Sequence, residues 1–228
     1  MKNITTVSNS IIREFAENVF KNRGKIDLNT YSRDLQSIGI KCGRNREVFY
    51  REIDYLGEKL IENNEFNLAG ITYSKLCKFA RQEPRALEIF AKKGLAIAER
   101  TNDVIHMNSK ALYIKDALKN IPGARGEYLR ITHKVEKLLK LIIGNYEACV
   151  NNFQSQGRRP ARKSDYKLLL AYIETELATN MKRKVPKTAL QKLEYARKLL
   201  IDFNETEGLR YIEKLEREIK EQNYIALA

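Results

Sequence analysis

The sequence predicts an all-α protein, and three observations carry the prediction. Apolar residues recur at helical spacing along almost the whole chain, as in Val135, Leu138, Leu139 and Ile142. No stretch alternates Val, Ile, Thr or aromatic residues with polar ones between turn signals, as a half-buried strand would. Proline is limited to four residues, while Glu, Lys, Leu, Ala and Arg, all favourable to helix, are plentiful. With 228 residues there is ample material for a core. About ten helices joined by short connectors predict a stack of antiparallel helical hairpins.

The elements follow in order. Ile12, Phe15, Ala16 and Val19 mark a first helix, stopped near Gly24. A second runs through Tyr31, Leu35 and Ile38, with Asn29 or Thr30 as its cap. Phe49, Ile53, Leu56 and Leu60 line a third; Leu68, Leu76, Phe79 and Ala80 belong to a fourth. Glu83-Pro84 ends the fourth and puts proline in the first turn of a fifth, built on Leu87, Phe90, Gly94 and Ala98. Asn102 or Asp103 caps a sixth, whose face is Val104, Met107, Ala111, Ile114 and Leu118. IPGARG at 121–126 is the clearest interruption, because Pro122 and Gly123 end a helix and turn the backbone. It separates an N-terminal helical region, 1–121, from a C-terminal one, 122–228, within one continuous elongated domain. A single long helix is expected next, from about Glu127 to Phe153, on a stripe that continues through Tyr146, Cys149 and Val150. That stripe serves either internal packing or a contact with a second copy. A helix from Ser164 or Asp165 buries Tyr166, Leu169, Leu170, Ile173 and Leu177. Pro186 opens another, carrying Ala189, Leu193, Ala196, Leu200 and Phe203. The last, introduced by Thr206 and Glu207, has a narrow stripe of Leu209, Ile212, Leu215 and Ile219 and suits the end of a stack.

One segment carries a resemblance. Phe66-x2-Ala69-Gly70-x2-Tyr73 resembles the first helix of a tetratricopeptide repeat, Trp-x2-Leu-Gly-x2-Tyr. In the second helix of that repeat, Ala-x3-Phe-x2-Ala, this chain supplies Ala86 and Phe90 but has Lys93 third, with Gly94 one residue late. Ala189-x3-Leu193-x2-Ala196 is a cleaner second half, with no matching first half before it. The resemblance covers about 35 residues near the middle and about 20 near the end. It implies a degenerate tetratricopeptide-like solenoid acting as a protein-interaction adaptor or scaffold, with a peptide or partner helix as ligand. Groove-facing positions would then be polar residues of first helices: Asn67, Thr72 and Lys75.

Charge supplies the alternative. The chain has 42 Lys and Arg against 29 Asp and Glu, a net charge of +13. Residues 158–198 hold 12 basic and 4 acidic residues. Such a concentration is the electrostatic signature of a DNA or RNA contact. Arg158, Arg159, Arg162 and Lys163 form one cluster; Lys182, Arg183, Lys184 and Lys187 form the other. They flank a helix of about 16 residues, so they stand roughly 24 Å apart and do not make one patch automatically. Tyr172 is the aromatic left over for base stacking, since Tyr166 falls on the apolar stripe. Residues 30–56 imitate a helix-turn-helix through Leu35, Gly39 and Ile40, but Val48 arrives about three residues late.

Enzymatic chemistry finds no support. His106 and His133 lie on different helices without Cys or acidic partners at metal-ligand spacing. The eleven glycines form no phosphate-binding loop, and no nucleophile elbow is present. No cofactor is expected. The N-terminus has no apolar run of signal-peptide length, and Lys140 interrupts the most apolar segment, Leu138 to Ile143, so no membrane insertion is expected. Cys42, Cys77 and Cys149 are odd in number and widely spaced, fitting reduced thiols of a cytoplasmic protein, with Cys77 and Cys149 packed in helices.

Overall fold

The computed structural model describes residues 4–22, 25–43, 45–154 and 160–225. These form α1 (Ile4–Asn22), α2 (Leu28–Cys42), α3 (Arg46–Glu62), α4 (Phe66–Phe79), α5 (Pro84–Arg100) and α6 (Val104–Lys119). After the turn at Pro122 come α7 (Arg125–Gly144), α8 (Tyr146–Gln154), α9 (Lys163–Met181), α10 (Pro186–Ile201) and α11 (Thr206–Ile225). The protein is all-α, with no strand among the described residues, and its helices pack as successive neighbours. None of these helices is long and apolar enough to cross a membrane.

Local chemistry fixes the boundaries. Pro84 and Pro186 stand in the first turns of α5 and α10, where the missing N–H costs nothing. The Asp103 carboxylate accepts from the His106 N–H at 3.0 Å and starts α6. Helix α2 begins earlier than its expected caps: Asp27, not Asn29 or Thr30, accepts from the Thr30 N–H at 2.7 Å. At the Pro122 turn Gly123 takes φ +80°, a conformation that a Cβ would strain.

The expected long helix is two helices, which makes eleven among the described residues. Gly144, a poor helix former, ends α7; Asn145 leaves helical geometry (φ −121°, ψ 38°) with its N–H on the Leu141 carbonyl. The apolar stripe survives the break, because Val135, Leu139, Ile142, Val150 and Phe153 are all buried within the chain. Cys77 is buried and Cys149 half-buried.

The main core runs from α1 into α9 without interruption at residues 121–122. A smaller core closes α9, α10 and α11 through Ala171, Ala178, Ala189, Leu193, Ala196 and Ile212. Its alanines let the helices approach closely. In the motif segment, Ala69 and Tyr73 are fully buried, yet the tight approach is not at Gly70, where an added Cβ would meet only Ile97 Cγ2 at 4.0 Å. It is at Gly57 and Gly94. An added Cβ there would stand 2.8 Å from Tyr73 Cζ and 2.8 Å from Lys110 Cε, respectively. Lys93, at the position where the repeat pattern has a small residue, reaches back to α3. Its Nζ lies 2.7 Å from Asp54 Oδ2 and 2.7 Å from Glu58 Oε1, and Tyr73 Oη donates to Asp54 Oδ1 at 3.0 Å.

Candidate anion-binding site

Helix α2 packs against α4, while α6 packs on α5 and α7 and reaches α4 through a side-chain contact. Tyr31 of α2 and Thr72 of α4 share a buried hydrogen bond of 2.6 Å, and Lys75 Nζ donates to Gln36 Oε1 at 3.2 Å. Lys110 of α6 donates to Ser74 Oγ at 2.7 Å, while Ser74 donates to the Gly70 carbonyl at 2.7 Å. Residues of α2, α4 and α6 line a cavity of about 330 Å³, which Phe153 and Tyr166 also border.

Three lysines line it: Lys75 and Lys78, one turn apart on α4, and Lys110 opposite on α6. Ser32, Ser74, Ser109 and Tyr113 add hydroxyls, and Ile71, Ile105 and Phe153 supply apolar wall. No Asp or Glu lines the cavity among the described residues. Pro160, Ala161 and Tyr166 border it from the α9 side, where Tyr146 Oη donates to the Ala161 carbonyl at 2.8 Å. His106 is also in the wall, with its Nδ1 2.8 Å from Asp103 Oδ2. Arg81, in the turn that follows α4, lies 5.9 Å from the Tyr113 ring centroid and extends the basic edge.

Lys110 is only 2% exposed, and its ammonium lies 5.7 Å from the centre of the Tyr113 ring. Burial pushes the Lys75 pKa below the ordinary lysine value, and the neighbouring Lys78 charge adds to the effect. An anion in the cavity would relieve that repulsion. The chemistry available is therefore recognition of negative charge by ammonium and hydroxyl donors against a partly apolar wall.

The sequence-derived candidates fall into separate places. Lys75 lines the cavity. Asn67 is exposed beside Gly70, Gly94 and Thr101, in a small cleft on another side of α4. Thr72 is unavailable to any partner: it is 0% exposed, and its hydroxyl donates to the Leu68 carbonyl at 2.8 Å and meets Tyr31. Its polarity satisfies α2 and α4 internally.

Arg158 and Arg159 lie outside the described residues. Arg162 and Lys163 are exposed at the start of α9; Arg183, Lys184 and Lys187 are exposed beyond its end, about 27 Å away along the helix. Lys182 is held by Glu218 at 2.8 Å. Further along, Lys192 lies 3.0 Å from Glu136 and 2.7 Å from Glu174, and Arg197 lies 2.6 Å from Glu216. Part of the charge of 158–198 is thus internally neutralised. Tyr166 is buried, and Tyr172 is half-exposed with its hydroxyl on Glu205. No group of three or more His, Cys, Asp or Glu residues forms a metal site among the described residues.

Sequence reasoning passed over Lys78, Lys110 and Tyr113. The available signal was the Ser74-Lys75-x2-Lys78 run, together with a lysine at 110 next to Ala111 and Leu112. The chain matches no family model, no curated protein and no solved structure.

Proposed function

We propose that the protein is a non-enzymatic, cytoplasmic adaptor built from tetratricopeptide-like helical hairpins, and that it docks an acidic segment of a partner protein on the face of α2, α4 and α6. The observation that carries this reading is the cavity bounded by Lys75, Lys78 and Lys110 with no acidic residue in its described lining. Its lining comes from α2, α4 and α6, with Phe153 and Tyr166 beside them, and a cleft among several helices suits an extended or helical ligand.

The alternative, nucleic-acid binding through 158–198, has the exposed group Arg183, Lys184 and Lys187 in its favour. One titration separates the two. A fluorescent pool of acidic decapeptides and a single-stranded oligonucleotide of equal net charge are each added at about 150 mM salt, where weak phosphate-backbone contacts are screened. The adaptor reading expects peptide binding that weakens at least about tenfold in Lys78→Glu and is unchanged when Arg183, Lys184 and Lys187 become Ser. Oligonucleotide binding that depends on those three residues, with no peptide binding, would replace it with the nucleic-acid reading.

A further inference from the structure

We infer that the cavity between α4 and α6 is built for a phosphate monoester, carried on a phosphorylated side chain of the partner segment. The inference rests on the adaptor reading and makes its ligand specific. Three features of the wall select a phosphate over a carboxylate.

The first is charge. Lys75, Lys78 and Lys110 face one cavity of about 330 Å³. One carboxylate brings a single negative charge and two acceptor atoms. A phosphate monoester brings about −1.5 to −2 and three strong acceptor oxygens, which matches several ammonium groups at once. The second is donor geometry. All three cations in the described lining are lysines, whose rotatable ammonium donors can follow three phosphate oxygens directed to different sides, one more acceptor than a carboxylate offers. The Ser32 hydroxyl on α2 and the Ser109 hydroxyl on α6 can meet oxygens directed to different sides, while Ser74, committed to the Gly70 carbonyl, holds Lys110 in place. The third is preorganisation. Lys110 is anchored before any ligand arrives, with its Nζ on Ser74 Oγ and its stem packed where a Cβ on Gly94 would stand 3.0 Å from Cδ. Ile71, Ile105 and Phe153 then offer apolar surface to the residues flanking the phosphate. The lowered Lys75 pKa agrees, because crowded cations gain most from a dianion.

The test uses the full chain and four probes: labelled degenerate octapeptide pools with central phosphoserine, serine or glutamate, and inorganic phosphate as competitor. The expected result is that the phosphoserine pool binds at least about tenfold more tightly than the glutamate pool, the gap between a dianion and a monoanion on three lysines. Lys75→Met and Lys78→Met should each weaken it by about tenfold or more, and inorganic phosphate should displace it. Both variants change side chains that are not fully buried, so Lys110 and the core stay intact. Saturation should also move the Lys75 titration, followed at its ε-carbon by NMR, back up toward the ordinary lysine range. Equal binding of phosphoserine and glutamate pools, still dependent on Lys78, would overturn the phosphate inference and leave the adaptor reading standing. Binding of inorganic phosphate with no gain from any peptide would overturn both, assigning the cavity to a small phosphorylated molecule. Absence of every Lys75- and Lys78-dependent interaction would overturn both as well.

Discussion

The lysines where α7, α9 and α10 meet and the lysines between α4 and α6 keep opposite electrostatic company. At the first site Lys140 and Lys192 both bridge Glu136 and Glu174, at 2.6 to 3.0 Å, and Glu174 is 1% exposed. Nearby, Lys115 lies 2.9 Å from Glu176, which also accepts the Tyr128 hydroxyl. At the second, Lys75 meets the neutral Gln36, and the described lining of the cavity holds no carboxylate. A desolvated cation surrounded by carboxylates spends its attraction holding helices together. A cationic wall without them keeps that attraction for a ligand. The difference separates lysines that make the fold from lysines that make a site.

The comparison is broken most directly at Glu174. Glu174→Gln leaves Lys140 and Lys192 sharing Glu136 alone and should lower unfolding stability by about 3–5 kcal/mol in a urea titration at neutral pH. A loss below about 1 kcal/mol would remove the junction from the list of fold determinants.

Acid probes the same cluster. Burial alone would raise the Glu136 pKa, but hydrogen bonds from Lys140 and Lys192, with His133 adding to them, outweigh it and pull the carboxyl down to about 2. A carboxylate with a depressed folded pKa stabilises fully above its ordinary value of 4.5 and progressively less as pH falls toward about 2. Unfolding measured across that window should show a loss on the order of 2 kcal/mol that Glu136→Gln abolishes. A variant with the same acid slope as the wild type would place the titration elsewhere.

A smaller effect sharpens the other side. Gly94→Ala pushes on Lys110 Cε and Tyr73 Cβ and should cost about 1–3 kcal/mol while displacing a cation from the cavity wall. Gly70→Ala, whose added Cβ would meet Ile97 Cγ2 at 4.0 Å, should be neutral or stabilising by up to about 1 kcal/mol. Thermal unfolding of the two variants distinguishes these glycines; a reversal would mean that the motif glycine makes the close contact. Least sensitive is the exposed Lys198–Glu194 pair on α10, whose removal by Glu194→Gln should change stability by about 0.5 kcal/mol or less.

Periodic features were legible in the sequence. The stripes of α3, α7 and α10, the prolines that open α5 and α10, and the narrow face of α11 are local properties of neighbouring residues. What depended on distant neighbours was not. Thr72 reads as a polar first-helix residue until Tyr31, 41 positions earlier, arrives beside it. Lys192 reads as part of a basic surface until Glu136, 56 positions earlier, meets it. Helix α6 is the sharpest case. The expected face included Met107, which is half-buried, whereas Lys110 and Lys115 are buried, because α6 packs against both α5 and α7. A helix enclosed on several sides has no single apolar stripe, so its buried lysines look like surface residues. The site was hidden for that reason: Lys110 faces Ser74, and only the packing of α4 against α5 and of α5 against α6 brings them together.

The central claim is best tested by removing two lysines from each region and measuring unfolding free energy under identical conditions. Lys140→Met with Lys192→Met strands two buried carboxylates and should cost about 3 kcal/mol or more. Lys75→Met with Lys78→Met removes a like-charge repulsion at half-buried and exposed positions, and should leave stability unchanged within about 0.5 kcal/mol or raise it slightly. Equal, large losses from both pairs would contradict the account, because the α4 lysines would then be holding the fold together and not waiting for an anion.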